Sequence, residues 1–135
     1  MRQFRVDDPD SRYQQVDDEG ARGALVRLMR DPSLGRLWMI CDGQTPVGYV
    51  AVTFGYSLEF QGRDAFIDEL FIAASHRGRG WGKRALRHTE AACREDGVNA
   101  LLLEVTPDNT AAATLYRALG FEDHRRRLMS KRVDR

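Results

Sequence analysis

The chain has 135 residues, within the range of one globular domain, and its 42% hydrophobic and 30% charged residues leave enough apolar surface for a core. Its 21 basic and 20 acidic residues sum to a net charge of +1, so the broad positive field behind non-specific nucleic-acid binding is missing and no nucleic-acid partner is expected. Residues 1–8 hold no apolar run, and no stretch approaches the roughly 18 apolar residues of a spanning helix, so neither secretion nor a membrane partner is expected.

Residues 1–20 are polar, rich in Asp and Glu, without helical or strand period, and read as an arm or loop. From Ala21 to Arg30, Ala24, Leu25, Leu28 and Met29 recur at helical spacing behind Asp17, Asp18 and Glu19, whose charge suits a helix N-terminus. Pro32 and Gly35 close that helix. Residues 37–41 and 47–54 predict two antiparallel strands about an Asp42-Gly43 turn. A glycine-bearing connection leads to a central strand over 65–72, which carries a carboxylate pair, Asp68 and Glu69, where a buried run should be apolar.

Next comes a glycine-rich loop, Arg77-Gly78-Arg79-Gly80-Trp81-Gly82, and then a helix on which Trp81, Ala85, Leu86, Thr89, Ala92 and Cys93 trace one face as far as Asp96-Gly97. Residues 100–105 form a second buried strand, and Thr106-Pro107-Asp108-Asn109 is a turn into a helix cap. Ala112, Leu115, Tyr116 and Leu119 line the last helix, which Gly120 stops. Phe121 re-enters the core, and the basic tail over 124–133 alternates apolar positions as a short terminal strand would.

A strand, a glycine turn and a helix together make a phosphate site, because glycines let N–H groups approach an anion while the helix N-terminus adds positive potential. The glycines fall at 78, 80 and 82, mid-chain after antiparallel strands, which excludes the G-x-G-x-x-G dinucleotide fingerprint. Gly82-Lys83 is followed by Arg84 rather than Ser or Thr, which excludes a P-loop. On its own residues the loop is equally a tight turn with solvated arginines.

In context, the loop resembles the R/Q-x-x-G-x-G/A signature of the GNAT superfamily of acyl-CoA-dependent N-acetyltransferases, with its strand, Asp68 to Ile72, ahead of it. Leu103-Glu104-Val105, Asn109, Ala112 or Ala113, Leu115-Tyr116 and Gly120-Phe121 are similar to that superfamily's L-E-V…N…A…L-Y…G-F pattern, particularly in protein N-terminal acetyltransferases. The resemblance spans about residues 37–121. It implies an α+β fold in a single domain over 1–135, with a mixed, mostly antiparallel central sheet splayed between two central strands and flanked by helices. Only one helix fits ahead of Leu37, so the N-terminal elements are expected to be reduced. The segment after Phe121 is short for the usual closing strands, which raises a homodimer whose second subunit completes the sheet.

The resemblance further implies acetyl-CoA as acyl donor and direct acetyl transfer to a primary amine of a small molecule, peptide or protein; the cysteine and histidine spacing predicts no metal, and the two lone cysteines suit the cytoplasm. It places Leu70, Phe71 and Ile72 along the pantetheine arm and the loop from Arg77 through Gly78, Arg79, Gly80, Trp81, Gly82 and Lys83 around the pyrophosphate. Arg79, Lys83 or Arg84 would meet the 3′-phosphate. Asn109 would touch the cofactor from the opposing strand end; as a helix cap it is equally intelligible.

Attack on a thioester needs a neutral amine, and a lysine-like amine has a pKa of about 10.4, so a base or a desolvating site must remove its proton. Glu104, twelve residues before Tyr116, matches the general-base glutamate of the N-terminal acetyltransferase branch; the plain alternative is a buried structural carboxylate. Asp68 and Glu69 are rivals, since this strand resembles that of polyamine and aminoglycoside acetyltransferases with acceptor-binding or basic carboxylates there. Adjacent on a strand, they point to opposite faces unless a bulge intervenes.

Tyr116 holds the family's proton-donor position for the leaving thiolate, whereas without the resemblance it is core packing. The N–H near Phe71 would stabilise the oxyanion. Tyr56, with Leu58, Glu59, Phe60 and Asp64, lies in the hairpin connection that often borders the acceptor, where an acidic rim would favour a cationic amine; solvated loop charge is the other reading.

Two rivals stand against this reading. One is a non-catalytic acyl-CoA-binding sensor or partner subunit, and the other is RNA or ribosome binding through Arg125-Arg126-Arg127 and Lys131-Arg132, which lacks an interleaved aromatic platform. Cys41 and Cys93 form no CxxC pair and suit a reducing compartment. His76, His88 and His124 show no metal or triad spacing, and nothing marks Ser75 or Cys93 as a nucleophile.

Overall fold

Residues 18–134 are described by the structure, a computed structural model, and the arm expected over 1–17 lies outside them. Helix α1 (Asp18–Arg30) takes in residues 18–20, which composition alone assigns to the arm, because Glu19 suits a helix N-terminus and Arg27 and Arg30 its last turn. The turn that follows is closed by Asp31, whose Oδ1 accepts the Ser33 hydroxyl at 2.6 Å and the Ser33 N–H at 3.0 Å. These bonds hold the Asp31 carboxyl below its ordinary range.

Strands β1 (Gly35–Asp42) and β2 (Thr45–Ser57) pair antiparallel through a tight turn with Gly43 at φ 62°. Gly35 therefore begins a strand rather than ending the helix. A Cβ there would run into the Val52 carbonyl oxygen, so the close pairing requires glycine.

Strand β3 (Gly62–Ile72) continues antiparallel to β2, from Ser57 opposite Gly62 to Gly48 opposite Ile72. The hairpin connection is only residues 58–61, shorter than expected, so Tyr56 and Asp64 are strand residues, facing Arg63 and Gly55 respectively. Val50 and Val52 on one face of β2, and Tyr49 and Ala51 on the other, are all buried, as an inner strand covered on both sides requires.

Strand β4 (Ala100–Leu102) lies parallel to β3, giving the order β1-β2-β3-β4. Its pairing ends at Phe66 opposite Leu102. The strand expected over 100–105 thus stops at Leu102, and β3 runs on to Ile72 with β2 as its sole strand partner among the described residues. That is the splay.

Helix α2 (Trp81–Glu95) makes the crossover between the parallel strands. Ala85, Leu86, Thr89 and Cys93 are buried along it, the stripe that the periodicity predicts. The Thr89 hydroxyl donates to the Ala85 carbonyl at 2.8 Å, which satisfies it in the core. Trp38 meets His88 edge-on at 6.1 Å and Arg36 pairs with Asp96 at 3.3 Å, so α2 covers the face that carries Val50 and Val52. Gly97, at φ 78°, ends the helix turn.

The chain divides into two compact units, one ending at Glu104 and the other beginning at Val105. In the second, helix α3 (Thr110–Ala118) is capped by Asn109, whose side chain accepts from the Ala112 N–H at 3.1 Å. Gly120 at φ 95° turns the chain so that the Phe121 N–H reaches the Tyr116 carbonyl at 3.0 Å. The terminal strand expected over 124–133 does not form. Arg125 sits at φ 56° with its N–H held by Asp123 at 2.8 Å, which breaks the extended path, and Leu128, Met129 and Val133 stay exposed.

Candidate functional site

The register between β2 and β3 slips once: Ala51 faces Glu69 but Val52 faces Ile67, so Asp68 is an extra, bulged residue. The bulge supplies the exception to strict alternation. Residues opposite one another share a face, so Glu69 lies with Ala51, Tyr49 and Phe71 on the face away from Val52 and α2. Asp68 is exposed and Glu69 half-buried.

The buried Tyr49 donates its hydroxyl to Glu69 Oε2 at 2.6 Å, short enough to fix the carboxylate's orientation. Its ring lies 5.8 Å from that of Phe71, also buried. Tyr49 is a site residue that sequence reasoning missed. Alternation along β2 marks it as inward, but only the register around the bulge sets it diagonal to Glu69.

Glu104 is half-buried, on the segment that leaves β3 just beyond Leu102. It therefore stands just past the end of β4, and Glu69 on the strand that runs on. Leu70, Phe71 and Ile72 continue β3 opposite Val50, Tyr49 and Gly48, with their other edge free of any strand among the described residues. Tyr56 is 76% exposed and opposite Arg63, roughly 30 Å along β3 from Ile72 at about 3.3 Å per residue. Tyr56 and the glycine loop thus occupy opposite ends of the hairpin.

Beyond β3 a 3₁₀ turn (Ala74–His76) enters the glycine loop. Gly78 (φ 73°) and Gly80 (φ 84°) take left-handed conformations that side chains resist, and Gly80 is the N-cap of α2. The first helical bond runs from the Arg84 N–H to the Gly80 carbonyl at 3.1 Å. No side chain caps the helix, so the N–H groups of its first turn project from its end. A Cβ built on Gly78, Gly80 or Gly82 would meet nothing within 4 Å, so the space on the Cβ side of each glycine is open. Arg79, Lys83 and Arg84 are exposed around it and the first turn holds no acid. This donor set fits a diphosphate.

Arg77 also has partners within the protein. Its Nε donates to the Ile72 carbonyl at 2.8 Å and its guanidinium lies 5.8 Å from the Phe71 ring centre, which ties the loop's entry to the end of β3. Trp81 meets two side chains, with the Arg84 guanidinium 4.9 Å from its ring centre and the His76 ring edge-on at 5.7 Å.

In the second unit, Tyr116 stands two turns along α3 from Asn109 and packs its ring 5.9 Å from Phe121. Burial pushes the Tyr116 hydroxyl above its ordinary value, because phenolate is disfavoured away from water. Asn109 spends its side-chain oxygen on the helix cap. Among the described residues no group of three or more His, Cys, Asp or Glu is placed to hold a metal ion, and no helix is long and apolar enough to cross a membrane.

The sequence profile of the acetyltransferase (GNAT) family matches residues 1–121. The chain is similar to the thialysine N-epsilon-acetyltransferase of Bos taurus, 31% identical over 82 residues, which are 61% of this chain and 48% of that protein. It is also similar to the streptothricin acetyltransferase of Streptomyces lavendulae, 42% identical over 55 residues, 41% of this chain and 29% of that one. The chain thus spans about half or less of the length of these curated relatives.

Among solved structures, the integron cassette protein HFX_CASS3 from the mobile metagenome of Cole Harbour Salt Marsh is 35% identical, with a TM-score of 0.74 over 85% of this chain and 70% of that one. AAC(6')-Iy, solved with a bisubstrate analog, CoA-S-monomethyl-acetylneamine, shares the fold at 16% identity, with a TM-score of 0.75 over 89% of this chain and 83% of that one.

Proposed function

Because the chain belongs to the acetyltransferase (GNAT) family, we propose that it transfers an acetyl group from acetyl-CoA directly to a primary amine of a small molecule or peptide. One observation carries this reading: β3 runs past its last pairing with β4 and leads straight into an uncapped, glycine-lined helix N-terminus. An extended amide chain ending in a diphosphate matches a strand edge along which no described strand pairs, followed by an uncapped helix N-terminus. Leu70, Phe71 and Ile72 would hold the pantetheine amides, the N–H groups from Gly78 to Lys83 the pyrophosphate, and Arg79 or Lys83 the 3′-phosphate. Acetyl-CoA, when bound, supplies an acyl group activated as a thioester.

The remaining chemistry is the movement of two protons. Glu104 takes the proton that the acceptor ammonium must lose, and Tyr116 gives one to the departing thiolate. Its burial supports that assignment, since a hydroxyl raised above its ordinary value stays protonated throughout the neutral range. Glu69, oriented by Tyr49, is the second candidate base, and with the exposed Asp68 it favours a cationic acceptor. Two relatives bear the names of the amines thialysine and streptothricin, which supports an amine acceptor here.

Calorimetric titration with coenzyme A, followed by release of free thiol from acetyl-CoA with polyamines, lysine analogues, aminoglycosides and peptides, tests the reading. Binding and turnover with at least one amine are expected. No heat with coenzyme A overturns it, and binding without turnover on any amine leaves the non-catalytic sensor.

A further inference from the structure

His76 immediately precedes the glycine loop, and its side chain is 18% exposed. Its Nε2 lies 3.1 Å from Asp42 Oδ2, its Nδ1 lies 2.8 Å from the Ser75 hydroxyl, and its ring meets that of Trp81 edge-on at 5.7 Å. A carboxylate only accepts, so Nε2 carries the proton and donates it to Asp42. Both ring nitrogens are thereby committed to protein partners.

These partners come from both flanks of the loop. Asp42 is the last residue of β1, paired with Thr45 across the hairpin turn, and that hairpin is joined to the chain leaving β3 by the Ala73 N–H donating to the Val47 carbonyl at 2.7 Å. Trp81 is the first residue of α2. Between His76 and Trp81 lie Gly78 and Gly80, where a Cβ would meet nothing within 4 Å, so packing on that side of each does little to select one backbone path. A loop of this kind presents its amides in one arrangement only when its ends are held from outside.

We propose that His76 is a positioning residue: paired with Asp42 and packed on Trp81, it holds the glycine loop in the arrangement that receives the phosphates of the acyl donor. The proposal rests on the acetyltransferase reading for the identity of the ligand. Its core claim, that the pair orders the loop, concerns the protein alone.

The test compares His76→Leu, His76→Gln, Asp42→Ala and the double variant H76L/D42A with the wild type. His76→Leu keeps bulk beside Trp81 but removes both nitrogens, whereas His76→Gln retains a side-chain N–H able to reach Asp42. Three quantities are read: the dissociation constant for coenzyme A, hydrogen exchange of the 77–83 amides in the ligand-free protein, and KM and kcat with a working amine. His76→Leu and Asp42→Ala should each weaken coenzyme A by about tenfold, as expected for losing a hydrogen bond to a charged group. The double variant should be no weaker than either single one.

KM for acetyl-CoA should rise in step while kcat at saturating donor stays within about twofold, exchange over 77–83 should accelerate, and His76→Gln should restore most of both losses. Unchanged affinity and exchange in His76→Leu overturn the proposal, as do additive losses in the double variant. Should the wild type bind no coenzyme A, the acetyltransferase reading fails, and the exchange measurement still decides whether the pair orders the loop. Asp42 is 55% exposed, so Asp42→Ala carries the test if His76→Leu does not fold.

Discussion

The Tyr49 hydroxyl reaches Glu69 Oε2 across 2.6 Å, joining a buried ring on β2 to the carboxylate beside the β3 bulge. Tyr49→Phe keeps the ring against Phe71 and removes only the donor. Stability measured by urea unfolding at neutral pH should fall by about 1–2 kcal/mol, the usual effect of depriving a half-buried polar group of a partner. If Glu69 receives the acceptor, KM for the amine should rise severalfold with the coenzyme A dissociation constant unchanged. A matching loss of coenzyme A affinity would place the carboxylate's role on the donor side instead.

Tyr116→Phe and Glu104→Gln separate acid from base. Each should lower kcat by roughly 10²–10⁴, the range for losing a general acid or base, without weakening coenzyme A. Because burial raises the Tyr116 hydroxyl above its ordinary 10.0, the group keeps its proton below that pH. The wild-type kcat profile should accordingly show no alkaline decline from Tyr116 below about pH 10. Full kcat in Tyr116→Phe would remove it from the chemistry.

Gly80 and Gly82 should respond with opposite signs in stability and the same sign in binding. Gly80→Ala forces a side chain to φ 84° and should cost about 1–2 kcal/mol. Gly82 lies in the first turn of α2 with open space at its Cβ, so Gly82→Ala should gain up to about 0.5–1 kcal/mol of helix stability. Both should weaken coenzyme A if the loop amides hold its phosphates. Thermal melts and calorimetry check the pair, and unaltered affinity in Gly82→Ala would rule out a close approach there.

Cys93 offers a pH test of the core. Burial, reinforced by Asp96 and opposed by Arg36, pushes its thiol from 9.0 up to about 11. Above about pH 9 the unfolded chain releases this proton and the folded one keeps it, so stability falls as pH rises towards 11, at no more than about 1.4 kcal/mol per pH unit. The contribution is fully present below pH 9. Urea unfolding between pH 8 and 10.5 should show a shallower decline in Cys93→Ala than in the wild type, and equal slopes would contradict the burial argument. Alkylating reagents should label exposed Cys41 and spare Cys93 until the protein unfolds.

What was legible in the chain was what depends on local period and punctuation. The buried stripe of α2, the glycine loop and the Asn109 cap all follow from spacings within a few residues. The end of β4 was not legible, because Leu103 and Val105 are as apolar as Leu101 and Leu102 and the strand ends where its neighbour departs. Gly55, Gly62 and the charged Arg63 and Asp64 imitate a long loop, yet exposed strand faces accept charge and the ladder includes all four. The tail alternates like a strand but joins no ladder among the described residues.

Tyr49 beside Glu69 and Asp42 beside His76 escaped notice for one reason. Tyr49 meets Glu69 through the register of two strands and His76 meets Asp42 from the turn after β3, over 34 positions of sequence, and no local spacing records either.

Asp68 is surplus to the ladder. Deleting it would leave Ile67 opposite Val52 and Glu69 opposite Ala51, with each side chain on its present face, while removing the local coil that the surplus residue puts into β3. The surplus residue falls two positions beyond the last pairing of β3 with β4, so it bends β3 at the start of the stretch, Leu70 to Ile72, that only β2 accompanies.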